Sequence, residues 1–231
     1  MLAKLKYTLV SLYALVMLGR RTDDVRNVFL IGNAQDNLAE PARASGKLRD
    51  PFRNLGLERM WQERYCPPRY DVNELMALSP ATLGGAYARH MVRRGLRPDF
   101  YDDVRARHRL HYLRLRVRQT HDIWHVLTGF DTDPVGELGL QAFYFGQFTN
   151  GQSVMILAGG ILKCLFAGRY RELEHFVDVF CEGYHNGRAA HCLLDVRWEQ
   201  LWNEPAAGLR QRFGIAATKW RAPDAPAMLP S

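Results

Sequence analysis

The predicted architecture is an all-α, single-domain helical bundle, and three observations lead to it. Apolar residues recur at intervals of three and four along most of the chain, the period of an amphipathic helix. Breaks between the periodic segments are short and marked by helix stops, as at Gly95 to Pro98, Gly129 to Pro134 and Asn186-Gly187. Strand-like alternation is confined to Leu113 to Arg118, and those residues also fit a helix. At 231 residues the chain is long enough for one well-buried core, and nothing in it demands a second domain, so residues 1–231 are read as one.

The elements follow in order. The first helix, 2–18, opens with Lys4 and Lys6 and continues with an apolar run that imitates a secretory signal. No small-residue cleavage site precedes Arg20 and Arg21, and the run is shorter than the roughly 20 residues that cross a bilayer. Leu5, Leu9, Leu12 and Val16 recur at helical spacing, with Leu2 and Tyr13 beside them. Packing against the core or a second copy is the first expectation, membrane-surface contact the second and a cleaved signal the third. Further helices are expected at 23–30, 71–78, 82–95, 103–128, 135–149, 153–166, 169–184 and 188–203. Residues 31–70 hold several Gly and Pro, with the pair Pro67-Pro68, and read as loop plus short helices. The tail after Ile215, with Pro223, Pro226 and Pro230, is expected to fray.

Composition narrows the partners. With 47% apolar and 24% charged residues the chain is ordinary globular protein, and its net charge of +7 comes mainly from arginine. Anionic partners suit that charge, but no zinc-finger spacing or RNA-recognition signature is present, so nucleic acid is not expected. Cys66, Cys164, Cys181 and Cys192 form no C-x-x-C pair and read as reduced, mostly buried thiols of a cytosolic-type compartment.

The stretch HDIWHVLTGFDTDPVGE, His121 to Glu137, carries the chemistry. With His121 at zero and about 100° per residue, Asp122 lies near 100° and His125 near 40°, on one arc. Leu113, Val117, Trp124 and Leu127 form a separate apolar stripe, so the polar trio borders the core. Gly129 then ends the helix, Asp133 can cap the next and Pro134 fits its first turn. Glu137 follows one turn later, where a helix–turn–helix can return its carboxylate toward the histidines. Two imidazoles at i and i+4 with carboxylates are a ligand set for zinc or another first-row divalent metal. The plainer alternative makes them solvated helix residues, with Asp122 paired to Arg118. Arg114 and Arg118 share the metal face and suit a substrate bearing a carboxylate or phosphate, whereas Arg105, Arg107, Arg109 and Arg116 read as a solvated basic face.

His121-Asp122-x-x-His125, eleven residues and then Glu137 resembles the metal motif of the Coq-four family of coenzyme Q (ubiquinone) biosynthesis proteins. Upstream, Thr82-Leu83-Gly84 with Tyr87 and Pro98 is similar to that family's T-L-G-x-x-Y segment, and Arg116-x-Arg118 to its basic lead-in. Downstream, Asn186-Gly187-Arg188, Trp198-Glu199, Leu209-Arg210 and Gly214-Ile215 resemble its C-terminal block. The likeness covers roughly residues 70–215.

The resemblance implies an all-α, often dimeric protein, cytoplasmic and peripheral to the inner membrane, working beside other ubiquinone-biosynthesis enzymes. It implies His121, Asp122, His125 and Glu137 as ligands of a divalent metal, zinc or iron. The implied reaction removes the ring carboxylate of a polyprenylated 4-hydroxybenzoate-type precursor and hydroxylates that carbon, with Arg118 and Asp122 as catalytic residues. Zinc alone has no redox role, so hydroxylation would need iron, another protein, or oxygen acting on an activated quinol. The loop TGFDTDPVG is more acidic than the family pattern, and Asp131 and Asp133 are read as turn and cap residues. A polyprenyl tail needs an apolar groove, for which Phe143, Phe148, Leu157 and Gly160 are the candidates, although an ordinary buried helix pair fits them as well. Two competing readings are a lipid-binding scaffold with a structural metal and a zinc hydrolase built on H-D-x-x-H. The hydrolase is weaker, because Asp is shorter than the usual Glu base.

Overall fold

A computed structural model describes residues 2–20, 30, 34, 37–38, 50–97, 106–148 and 151–219. Among these the protein is all-α: α1 Leu2–Arg20, α2 Leu55–Gln62, α3 Val72–Met76, α4 Leu83–Arg94, α5 Arg109–Thr128, α6 Pro134–Gln147, α7 Gly151–Phe166, α8 Tyr170–Ala189 and α9 Ala206–Phe213. Two 3-10 turns, Pro51–Arg53 and Trp198–Gln200, complete the described elements. The only β feature among the described residues is an isolated bridge between Thr82 and Pro205. The chain gathers into two compact units, one from Met1–Pro51 with Pro134–Arg188 and one from Phe52–Asp133 with Ala189–Ser231.

In the unit that holds α5, the helix starts are set by side-chain caps. The side chains of Asn54, Asp71 and Thr82 accept from Leu57, Asn73 and Gly85 N–H at the starts of α2, α3 and α4. Helix α4 ends at Gly95 in the left-handed conformation, φ 62°. It packs on α3 and α5, and α9 also packs on α5. The predicted apolar stripe of α5 is real: Leu113, Trp124 and Leu127 are buried.

In the other unit, α1 packs on α7 and α6 packs on α7. Helix α1 buries Ser11 and Ala14 and leaves Leu5, Leu9, Leu12, Tyr13 and Val16 more than half exposed. Helices α6 and α8 approach so closely that a Cβ on Gly183 would sit 2.2 Å from the Gly139 carbonyl oxygen, and one on Gly187 2.2 Å from that of Phe143.

Several expectations need correction. Asn186-Gly187 is no break, because both residues lie inside α8, and Gly187 is there to admit the backbone of α6. The helix expected at 188–203 is absent: α8 ends at Ala189, and an irregular segment leads to the 3-10 turn. Helix α9, where no helix was expected, follows Pro205. Helix α5 begins at Arg109 rather than 103, since His108 caps it and accepts from His111 N–H. Arg116 is not solvated but buried: Nε donates to Leu194 O (3.3 Å), Nη2 to Val196 O (2.9 Å) and Nη1 to Gln119 Oε1 (3.1 Å). The irregular segment after α8 supplies two of those acceptors, which is why a guanidinium can be buried there. All four cysteines are free, but Cys66 and Cys181 are exposed rather than buried. Thr218, in the tail expected to fray after Ile215, is instead buried and donates its N–H to Thr128 O, whereas the helix at 23–30 (but for its last residue), the start of the expected 103–128 helix, most of 31–49 and the tail beyond 219 lie outside the described residues.

Candidate metal centre

Helix α5 presents the site in its last two turns, and that end is held at every carbonyl. Its last four carbonyls have no partner within the helix and must find one elsewhere. His125 O accepts from Gly129 N–H (2.8 Å), Val126 O from Arg210 Nη2 (3.0 Å), Leu127 O from Arg210 Nε (2.8 Å) and Thr128 O from Thr218 N–H (2.7 Å). Gly129 takes φ 78°, a conformation that side chains disfavour, and this lets the chain turn away at once.

The turn then sets the tautomer of His125. The carbonyl oxygen of Phe130 lies 2.7 Å from His125 Nδ1. A carbonyl only accepts, so Nδ1 carries a proton, and the tautomer this selects for the neutral ring has its lone pair on Nε2. That Nε2 faces His121 Nε2 at 3.2 Å, with the two rings near perpendicular. Asp122 completes the group, its carboxylate and the two ring nitrogens all within 4.8 Å of one another. Among the described residues this is the group of metal-capable side chains, with His125 buried and the other two half-buried.

A first-row cation fits this donor set. Two nitrogens bound at 2.0–2.1 Å to one tetrahedral zinc stand about 3.3 Å apart, close to the spacing here. A proton on Nδ1 shared with a backbone carbonyl is the usual support of a metal-bound imidazole. The C-terminal end of a helix also favours positive charge.

Glu137 is half-buried in the first turn of α6, the helix that opens the second stretch of the other unit. Asp131 accepts from Thr132 N–H and pairs with Arg94, consistent with a turn residue. Phe143 and Phe148 are buried in α6 and its C-terminal edge. Leu157 and Gly160 are half-buried on α7, where a Cβ on Gly160 would strike the ring of Phe176.

Sequence reasoning missed His90. Its ring stacks on His125 at 5.7 Å between centroids, it is buried, and its Nε2 has no hydrogen-bond partner. Burial first, then the neighbouring His125, lowers its pKa to about 4, so the ring stays neutral. Its spacing of three from Tyr87 puts both on the buried side of α4, which is a helical signal available in the sequence.

Beside the trio, along α5, lies an open cleft of about 680 Å³, solvent included. Arg118, Asp122, Arg116, Gln119, Arg69 and Glu199 line it with the aromatic rings of Tyr70, Tyr87, Trp198 and Trp202. Arg118, a predicted catalytic residue, is exposed at this cleft with Asp122.

The family model for coenzyme Q (ubiquinone) biosynthesis protein Coq4 matches residues 62–219. The chain is 31% identical over 153 residues to the mitochondrial ubiquinone biosynthesis protein COQ4 homolog of Rattus norvegicus, covering 63% of this chain and 55% of that one. It is 28% identical over 144 residues to the mitochondrial ubiquinone biosynthesis protein coq4 of Botryotinia fuckeliana, covering 61% and 50%. The chain thus spans about half the length of the curated relatives it matches. It also resembles the crystal structure of a Nostoc punctiforme protein provisionally assigned to ubiquinone biosynthesis, with TM-score 0.74 and 29% identity over 90% of this chain and 98% of that one.

Proposed function

The chain belongs to the family of coenzyme Q (ubiquinone) biosynthesis proteins Coq4, and from that premise we propose that it acts in ubiquinone biosynthesis as a metal-dependent enzyme. The proposed reaction is oxidative decarboxylation of a polyprenylated 4-hydroxybenzoate-type precursor. The carrying observation is the pair of Nε2 atoms at 3.2 Å beside the Asp122 carboxylate, with the His125 tautomer fixed by Phe130. His121, Asp122 and His125 would hold zinc or iron, with Glu137, a short turn further along the chain, as fourth ligand. Bound there, a divalent cation supplies positive charge to hold a ring carboxylate or phenolate oxygen.

The chain's own residues do the rest. Arg118 gives a second positive group at the cleft and orients the departing carboxylate. His90 and the Phe130 carbonyl hold the His125 ring in place. Exchange of carboxylate for hydroxyl is a two-electron oxidation: the ring–carboxylate bond breaks, CO2 leaves and a C–O bond forms. Carboxylic acid, water and O2 balance to phenol, CO2 and hydrogen peroxide, so O2 is the oxidant this reading requires.

The exposed apolar side of α1, with exposed Lys6 beside it, supports contact with an anionic membrane surface. Among the described residues no helix is long and apolar enough to cross a membrane. The apolar α6 and α7, with Phe143, Phe148, Leu157 and Gly160, are the proposed neighbourhood of the prenyl tail.

The test is deletion of the gene, a profile of quinone intermediates, and complementation with His121→Ala or Glu137→Ala. Accumulation of a carboxylated precursor that neither variant relieves is expected. Full rescue by folded variants would contradict metal catalysis and favour a scaffold that presents prenylated intermediates to partner enzymes.

A further inference from the structure

His90 carries an atom that the packing of α4 on α5 leaves unexplained. The residue is only 7% exposed, and its Nε2 meets neither solvent nor a hydrogen-bond partner among the described residues. A buried ring nitrogen left in that condition costs about 1–3 kcal/mol, and an ion or a water is a usual reason for one in a native protein. The charged and titratable groups around it offer no acceptor or donor: His125 lies ring against ring with it, Asp131 is paired with Arg94, and Arg93 makes no bond to it.

The neighbour that accounts for the atom is the metal centre. The planes of the His90 and His125 rings lie 21° apart, with centroids at 5.7 Å. An ion on His125 Nε2 lies in the plane of that ring, because the lone pair that binds it does. It is then out of the plane of a near-parallel neighbour, whose own lone pair cannot point at it. His90 is accordingly not among the three residues whose donor atoms lie within 4.8 Å of one another. What a stacked ring can reach is a further donor on the ion, standing out of the His125 plane on the His90 side. Catalytic zinc and non-haem iron sites keep a position for such a donor, and water is the usual occupant.

We propose that His90 Nε2 accepts a hydrogen bond from a water held in the open position of the metal, which makes His90 a positioning residue of the centre. Burial first, and His125 next, keep the ring neutral, so a lone pair is there to accept. A cation turns that lone pair, rather than the N–H, toward itself, and water bound to a cation is a strong donor. The open position is thereby biased toward water, which has protons to give, and against an anion that has none. The assignment rests on the metal reading of the site but can fail without it.

The test loads the full chain with cobalt(II) and titrates it with azide, followed by visible absorption. Azide displaces the water and offers no proton, so in wild type the exchange loses a hydrogen bond. His90→Phe keeps a ring against His125 and has no such bond to lose. It should bind azide about five-fold more tightly than wild type, with cobalt affinity within about two-fold. His90→Gln, whose carboxamide oxygen can accept, should stay near wild type, and His90→Leu gives the same sign as phenylalanine should that variant fail to fold. A role in packing alone would loosen the centre in His90→Phe and lower cobalt and azide affinity together. Azide affinity in His90→Phe equal to or below that of wild type overturns the assignment, and cobalt bound by wild type then leaves the metal centre standing. A wild-type chain that binds no cobalt overturns both.

Discussion

The C-terminal end of α5 and the crossing of α6 with α8 solve the same problem, holding a helix at fixed depth, by opposite means. At α5 the fixing groups are polar: Arg210 and Thr218, from far along the chain, donate to its last carbonyls, and the nearby Phe130 carbonyl accepts from His125. At α6–α8 what fixes the geometry is the lack of side chains at Gly183 and Gly187, which leaves backbone against backbone. Hydrogen-bonded ends aim ring nitrogens to within tenths of an ångström, as a metal site demands. Glycine contacts set spacing but aim nothing. The difference teaches where chemistry can sit, and substitutions on each side should behave differently.

The largest effect is expected at the glycine crossing. Gly187→Val places two methyls where a Cβ already meets the Phe143 carbonyl, and should cost about 3 kcal/mol or more, read as a large fall in melting temperature. His121, Asp122 and His125, which α6 does not carry, should still bind metal in the fraction that folds, so any fall in affinity there reports on Glu137.

Next is the pH dependence of the metal-free protein. His90 has a folded pKa of about 4 against 6.5 unfolded. The unfolded chain therefore binds the extra proton first, and stability complete above pH 6.5 is lost as pH falls toward 4. The loss should approach about 3 kcal/mol at its limit, and His90→Phe should flatten that part of a urea-denaturation series.

Arg210→Met strips partners from two carbonyls of α5 and should cost about 2 kcal/mol. It should also weaken zinc binding by the two histidines, because it loosens the turn that orients His125; calorimetric titration reads both effects. The smallest change is Asp131→Asn, which loses a partly exposed ion pair with Arg94 and should cost less than about 1 kcal/mol. A loss of metal stoichiometry in that variant would show the acidic turn to be part of the centre.

What the sequence revealed divides along the same line. The period of α5, its apolar stripe and its His-Asp-His face were legible because one helix carries all of them. Arg116 misled because nothing local announces that carbonyls some 80 residues further on will receive its guanidinium. Gly187 misled because a glycine beside an asparagine signals a helix end as well as a close crossing, and only the partner helix decides. His90 and Tyr70 were invisible as site residues for the same reason: each becomes meaningful only through a ring contributed by another element. The resemblance reached further, since Tyr87, Trp198-Glu199 and Arg210 all lie at the cleft or the end of α5.

The most direct test of the central claim is equilibrium dialysis of the full chain against zinc and iron(II), with elemental analysis, for wild type, His121→Ala and Asp122→Asn. Wild type should retain about one ion per chain, and both variants should lose it while keeping the helical circular dichroism of the parent. A wild-type chain that takes up neither metal, or variants that bind as wild type does, would contradict the account.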